Sequence, residues 1–120
     1  MRALLVDPAK QTVTETVARD RHDIYELLEC LPDTTDLFEI SPGICLQVFT
    51  DHENCFFRSR FCGEPRWCCA HDDEVYEFAG ICLVTAYDKR TYKPVPVPMN
   101  AEEFKALIVY GSPFRRTNRK

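Results

Sequence analysis

The sequence predicts a single α+β domain built on a mainly antiparallel sheet of about five or six strands, with one principal helix and a short C-terminal helix. Three observations lead to this class. The length of 120 residues suits one domain. The composition, 45% hydrophobic and 28% charged, is that of a globular protein. Apolar and polar residues mostly alternate with a period of two, and helix signals occur in two short segments. We expect the domain to span 1–112 and a basic, flexible tail to occupy 113–120.

The first third of the chain predicts a hairpin followed by the principal helix. The segments RALLVD (2–7) and VTETVA (13–18) flank the turn PAKQT and predict two antiparallel strands. In the segment DRHDIYELLECLP that follows, Asp20 is a candidate N-cap and Pro32 stops the helix. The spacing predicts a helix of about ten residues, whose apolar face consists of Ile24, Leu27, Leu28 and Leu31.

The middle of the chain predicts four strands. Short strands are expected at 36–40 and 44–50, on either side of a Ser-Pro-Gly turn. The segment CFFRSRF (55–61) alternates and predicts a third strand. The stretch 62–74 is expected to be irregular. The long apolar segment within 75–88 predicts one central strand with both faces covered.

The C-terminal segment predicts an extended stretch, a short helix and a last strand. Alternating prolines in YKPVPVPM favour an extended backbone. Asn100 and Glu103 have the spacing of a capping box, so the segment AEEFK (101–105) predicts a short helix. The residues ALIVYG that follow have strand character and predict the final strand.

Five segments in this order carry a family resemblance: ALLVDP, DIYELLEC, CFFRSRF, FAGICLVTAYD and AEEFKA. Over roughly 2–110 the chain resembles a family of small α+β proteins of unknown function that phages, plasmids and other mobile elements encode. The stretch 62–74 departs from the family pattern. The resemblance implies a non-enzymatic interaction protein, and inhibitors of host defence, anti-CRISPR proteins among them, are the class expected in that genomic setting.

The charge distribution favours a basic partner. The net charge is −4, but the last eight residues contain four basic and no acidic side chains, which leaves −8 on residues 1–112. An acidic body argues against a broad phosphate-binding surface, because DNA-binding domains usually have a basic face. We expect a host protein or a protein–nucleic-acid complex as the partner, with direct nucleic-acid binding less favoured.

The cysteines and histidines of the middle segment leave several hypotheses open. A tetrahedral zinc site could use His52, Cys55, Cys69 and His71, although no paired Cys-x2-Cys spacing supports it. A thiol nucleophile at Cys68 or Cys69, with His71 as its base, is a weaker hypothesis. Buried free thiols are the favoured interpretation, and parity would turn Cys55 toward the core. We therefore predict no metal, no cofactor and no catalytic residue.

Two surfaces in the same segment are candidates for binding. The favoured one combines acidic and aromatic side chains with one arginine, and we expect it to contact the partner. Its residues are Asp72, Asp73, Glu74, Glu77, Arg66 and Trp67. The alternative is a nucleic-acid-binding accessory module, in which Arg58 and Arg60 neutralise phosphates and Trp67 stacks on bases.

The sequence shows neither a membrane-spanning run nor a secretory signal, and this predicts where the protein is located. No apolar run approaches the roughly 20 residues that span a bilayer, and the apolar N-terminal stretch is too short for a secretory signal. We expect a cytoplasmic protein that is not bound to a membrane, as a monomer or small homo-oligomer.

Overall fold

The computed structural model describes residues 1–29, 32–51, 66–71 and 74–111. Within these ranges the chain forms nine strands and two helices. The first seven elements are β1 (Arg2–Asp7), β2 (Thr12–Val17), α1 (Arg21–Leu28), β3 (Pro32–Ser41), β4 (Ile44–Asp51), β5 (Arg66–His71) and β6 (Glu74–Ala79). The remaining four are β7 (Cys82–Asp88), β8 (Pro94–Val95), α2 (Ala101–Lys105) and β9 (Ile108–Tyr110).

The strands form two antiparallel sheets. The larger sheet has the order β2-β1-β7-β4-β3, and the short strand β8 also pairs with β7. The smaller sheet has the order β6-β5-β9. The predicted α+β class with a mainly antiparallel arrangement is confirmed, but the expectation of one sheet is wrong. Six strands belong to the larger sheet, and three more build a separate layer.

A turn inside the predicted central strand divides the two sheets. The segment 75–88 was expected to form one strand, but β6 ends at Ala79 and β7 begins at Cys82. Gly80 lies between them with a φ of 74°, a conformation that favours glycine. Because the chain turns here, β6 lies in the smaller sheet while β7 lies at the centre of the larger one. Periodicity missed this turn since both flanking segments are apolar.

The main core fills the space between the two sheets. On the inner face of the larger sheet, Leu4, Val84 and Val48 lie in register across three strands and are fully buried. Trp67 of β5 and Phe104 of α2 belong to the same apolar cluster. The outer face carries a second cluster around Ala3, Ile24 and Leu83, where α1 packs on the sheet. The larger sheet is therefore covered on both faces, but by different elements.

Local capping determines where both helices begin. The Asp20 side chain accepts a hydrogen bond from the Asp23 backbone N–H, and α1 spans eight residues instead of about ten. Glu29 ends α1 in the left-handed conformation, with a φ of 55°. At α2 both reciprocal bonds of the capping box between Asn100 and Glu103 are present, as predicted.

Other predictions have mixed outcomes. The opening hairpin and the final short helix and strand are confirmed. The strand expected at 36–40 is longer, since β3 covers Pro32–Ser41. Part of the stretch expected to be irregular is in fact strand β5. The strand predicted at 55–61 and the tail at 113–120 lie outside the described residues.

Candidate partner-binding site

Trp67 is a core residue, so its predicted role on an exposed surface is wrong. Its side chain is 0% exposed. The indole Nε1–H donates to the Cys82 Sγ at 3.2 Å. The ring lies 4.8 Å from Phe78 and 6.0 Å from Phe104, measured between centroids. Strand alternation in β5 explains this placement, because Trp67 and Cys69 point toward the larger sheet.

Some of the charged side chains that were predicted to contact the partner beside Trp67 instead interact with other residues of the chain. Arg66 and Glu77 form an ion pair across β5 and β6, and each side chain is 19% exposed. Glu74 is exposed and accepts a hydrogen bond from the Tyr76 hydroxyl at 2.9 Å. Asp72 and Asp73 lie outside the described residues. An exposed acidic surface at this position therefore rests, in the described part of the chain, on Glu74 alone.

The cysteines of the described ranges are buried: Cys45, Cys68, Cys69 and Cys82. Burial, with a smaller effect of Cys68, raises the pKa of Cys69 to about 11, which works against a reactive thiolate there. Residues 66–71 and the other described ranges contain no group of three or more potential metal ligands. His52 and Cys55 lie outside these ranges, as do Arg58 and Arg60, so the zinc and phosphate-contact hypotheses stay predictions.

A groove lies on the outer face of the larger sheet, beside α1. It encloses a cavity of about 350 Å³, at the lower end of the range of ligand pockets. Its floor includes Gln47 of β4 and Thr85 of β7, which are directly opposite each other in the strand register. Ile24 of α1 lines one wall, and Tyr92 and Pro94 line another.

One end of the groove presents a carboxylate that neutral donors hold in place. Asp36 lies opposite Gln47 in the register of β3 and β4. Its Oδ1 accepts a hydrogen bond from Gln47 Nε2 at 3.2 Å, and its Oδ2 accepts one from the Tyr87 hydroxyl at 3.1 Å. The β3–β4 register shifts immediately after Asp36, and such irregularities redirect side chains. Two uncharged donors thus orient the carboxylate.

Two tyrosine rings form an aromatic wall next to Asp36. Tyr87 and Tyr92 stack with centroids 6.1 Å apart and an interplanar angle of 16°. Tyr92 is 78% exposed, and its φ of 59° belongs to the tight turn between β7 and β8. The pKa of Tyr87 is raised, first by a hydrogen bond with the Cys45 thiol and then by burial and Asp36. The phenol therefore stays protonated as a donor to Asp36.

Three arginines also line the groove: Arg2, Arg19 and Arg21. Arg2 pairs with Glu15 at 3.9 Å, and Arg19 Nε donates to Asp23 at 3.1 Å. Arg21 is exposed and forms no ion pair within the described part of the chain, and Asp20 beside it also lines the groove. The start of α1 therefore presents charges of both signs to the groove, in addition to the carboxylate of Asp36 and its aromatic neighbours.

Our interpretation of the sequence missed this site. In the predicted strand 44–50, alternation puts Ile44, Leu46 and Val48 on one face and Gln47 on the other, and a polar residue there was an available signal. Asp36 and Gln47 meet across the β3–β4 hairpin, but the contact with Tyr87 depends on pairing of β4 with β7, which is distant in sequence. No local pattern could therefore bring Tyr87 to Asp36.

Comparisons with known proteins found no relative of this chain. No family model, no curated protein and no solved structure matches the chain. The resemblance to proteins of mobile elements therefore stays a prediction that rests on the five quoted segments. Among the described residues, neither helix has the length and apolar character needed to cross a membrane.

Proposed function

We propose that the chain is a non-enzymatic protein-interaction module that binds a basic segment of its partner in the groove beside α1. The observation that carries this proposal is the Asp36 carboxylate, which two neutral donors orient without neutralising it. A fixed carboxylate at one end of a cavity attracts a cation. This site replaces the acidic and aromatic surface that the sequence predicted around Trp67.

Two other carboxylates differ from Asp36 because each of them pairs with a basic side chain. Glu39, on the same strand, pairs with Lys89 at 3.2 Å, and Asp23 pairs with Arg19 at 3.1 Å. Throughout the described ranges, Asp36 has no basic side chain within 4.0 Å. Because no basic side chain of the described ranges compensates its charge, a cation supplied by a partner could pair with Asp36 without displacing one of these side chains.

The charge of the whole body supports the same kind of partner. Residues 1–112 carry a net charge of −8. Such a body attracts a basic surface over several ångströms and speeds the encounter with it. A host defence complex such as a CRISPR effector fits this requirement, since it holds nucleic acid in a positively charged channel. Inhibition of such a complex by this protein is the function we propose.

The rival functions have less support in the described residues. Trp67 is buried in the core, so it is not available to stack on bases as the nucleic-acid hypothesis required, while Arg58 and Arg60 lie outside the described residues. The raised pKa of Cys69 disfavours the thiol nucleophile.

A titration followed by NMR tests the proposal. Isotope-labelled protein is mixed with a tri-lysine peptide, a tri-arginine peptide or an eight-nucleotide oligothymidine. We expect the peptides to shift the amide signals of Gln47, Thr85 and Tyr92, and Asp36→Asn to abolish these shifts. The matched control is Glu39→Gln, which removes the same charge from the same strand and should retain them. Shifts confined to other surfaces, or groove shifts caused by the oligonucleotide, would contradict the proposal.

A further inference from the structure

We infer that the group anchored in the groove is the guanidinium of an arginine side chain of the partner. This inference rests on the function proposed above and adds the chemical identity of the anchor. Two features of the groove distinguish a planar guanidinium from the compact ammonium of lysine: the hydrogen-bonding capacity left on Asp36 and the exposed ring of Tyr92. A third feature, the charge at the start of α1, limits which partner segment can carry the anchor.

The first feature is the capacity of the Asp36 carboxylate. Each of its oxygens can accept about two hydrogen bonds, and each already accepts one, from Gln47 on Oδ1 and from Tyr87 on Oδ2. Among the contacts of the described residues, one acceptor position therefore remains on each oxygen. Two parallel N–H donors of a guanidinium match a pair of carboxylate oxygens, whereas an ammonium acts as a point charge.

The second feature is the aromatic wall. Tyr92 stacks on Tyr87 through one face of its ring and is 78% exposed. A guanidinium that lies flat on the free face of Tyr92 combines a cation–π contact with planar stacking. An ammonium can make the cation–π contact but has no plane to stack. The two tyrosines therefore favour arginine together. Tyr92 offers a ring face on which the guanidinium can stack, and Tyr87 orients the Asp36 carboxylate that it would pair with.

The third feature is the charge at the start of α1. Besides Asp36, the acidic residue among the lining residues is Asp20, which caps α1 and lies between Arg19 and Arg21 in the sequence. Arg21 repels a second basic residue of the partner there. A cavity of about 350 Å³ has room for one long side chain and part of its flanking backbone. The groove therefore fits a partner segment that brings a single arginine to Asp36 better than a continuous run of basic residues.

The test compares three peptides that differ at one side chain. Ac-Gly-Arg-Gly-NH2, its lysine analogue and its citrulline analogue are titrated by NMR against the full chain and against Asp36→Asn, Tyr92→Leu and Glu39→Gln. Citrulline keeps the planar shape but has no charge. We expect the arginine peptide to bind about tenfold more tightly than either analogue. We expect Asp36→Asn to remove this binding and Tyr92→Leu to remove the preference over lysine, while Glu39→Gln changes neither.

The possible outcomes separate this inference from the proposed function. Equal binding of the arginine and lysine peptides, lost in both cases with Asp36→Asn, would overturn the guanidinium preference and leave the basic-segment site in place. Absence of binding by either charged peptide would overturn both. Binding that Glu39→Gln weakens as much as Asp36→Asn does would show a general effect of net charge and would also overturn both. Circular dichroism of each variant confirms that it is folded.

Discussion

Replacement of Trp67 should destabilise the protein strongly, because this residue joins its two sheets. The indole is fully buried between β5 and the larger sheet and contacts Phe78 and Phe104. Replacing a buried tryptophan by alanine costs about 3 to 5 kcal/mol, from lost burial and from the cavity that remains. Since a whole domain is stable by about 5 to 15 kcal/mol, Trp67→Ala should leave the fold marginal.

The milder variant Trp67→Phe should stay folded, so its free energy of unfolding can be measured. It keeps an aromatic ring in the layer but loses the hydrogen bond from Nε1–H to the Cys82 sulfur and part of the apolar contact. We expect the free energy of unfolding to fall by about 1 to 2 kcal/mol. The control is Val109→Ala in the same small sheet, where the side chain is 53% exposed and the expected loss is under about 1 kcal/mol.

Urea unfolding followed by circular dichroism measures both variants without relying on the chain's single tryptophan. In the unmodified protein, iodide should quench the fluorescence of Trp67 far less in the folded than in the unfolded state. Equal quenching in the two states, or a loss below about 1 kcal/mol for Trp67→Ala, would refute the placement of this ring in the core. The original surface interpretation of Trp67 would then be restored.

Local contacts predict the outcome of three further experiments. A hydrogen bond from Arg19 lowers the pKa of Asp23 below its ordinary 3.8, so the stabilisation from this carboxylate is complete above that value and is lost as the pH falls through the lowered pKa. Asp23→Asn should therefore reduce thermal stability near pH 7 but not near pH 2, and an equal loss at both would contradict this cause. Asn100→Ala removes half of a capping box and should cost about 1 kcal/mol in urea unfolding, whereas an unchanged midpoint would contradict it. Burial raises the pKa of Cys69 to about 11, so iodoacetamide near pH 8 should label this thiol only after unfolding, and fast labelling of the folded protein would contradict its burial.

Local sequence signals predicted the parts of the fold that local interactions determine. Asp20 and Asn100 marked the helix starts because a cap bonds backbone groups within three residues of itself. The hairpin of β1 and β2 was predicted because its turn joins adjacent strands. The division at Gly80 was not predicted, because whether an apolar segment continues or turns there depends on which sheet each half joins.

The candidate site was harder to predict than the fold, because the types of residue in the sequence were misleading. Trp67, Arg66 and Glu77 suggested a surface because aromatic and charged residues often occur in interfaces. Strand pairing instead buries the indole and joins the two charges. Asp36 gave no signal of its own, since its role arises from Gln47 on the neighbouring strand and from Tyr87 two strands away.

The groove follows from the dimensions of the two layers on the outer face. At about 1.5 Å per residue, the eight residues of α1 extend about 12 Å. Five strands spaced about 4.8 Å apart give the larger sheet a width of about 20 Å, so one short helix cannot cover this face. Gln47 and Thr85 give the groove floor its polar part, while Phe49, which also lines the groove, and Leu83 pack with α1. An antiparallel sheet commonly leaves such polar residues on a face that water reaches. The proposed partner segment would lie on this uncovered part of the outer face, beside the Asp36 carboxylate that Gln47 and Tyr87 orient.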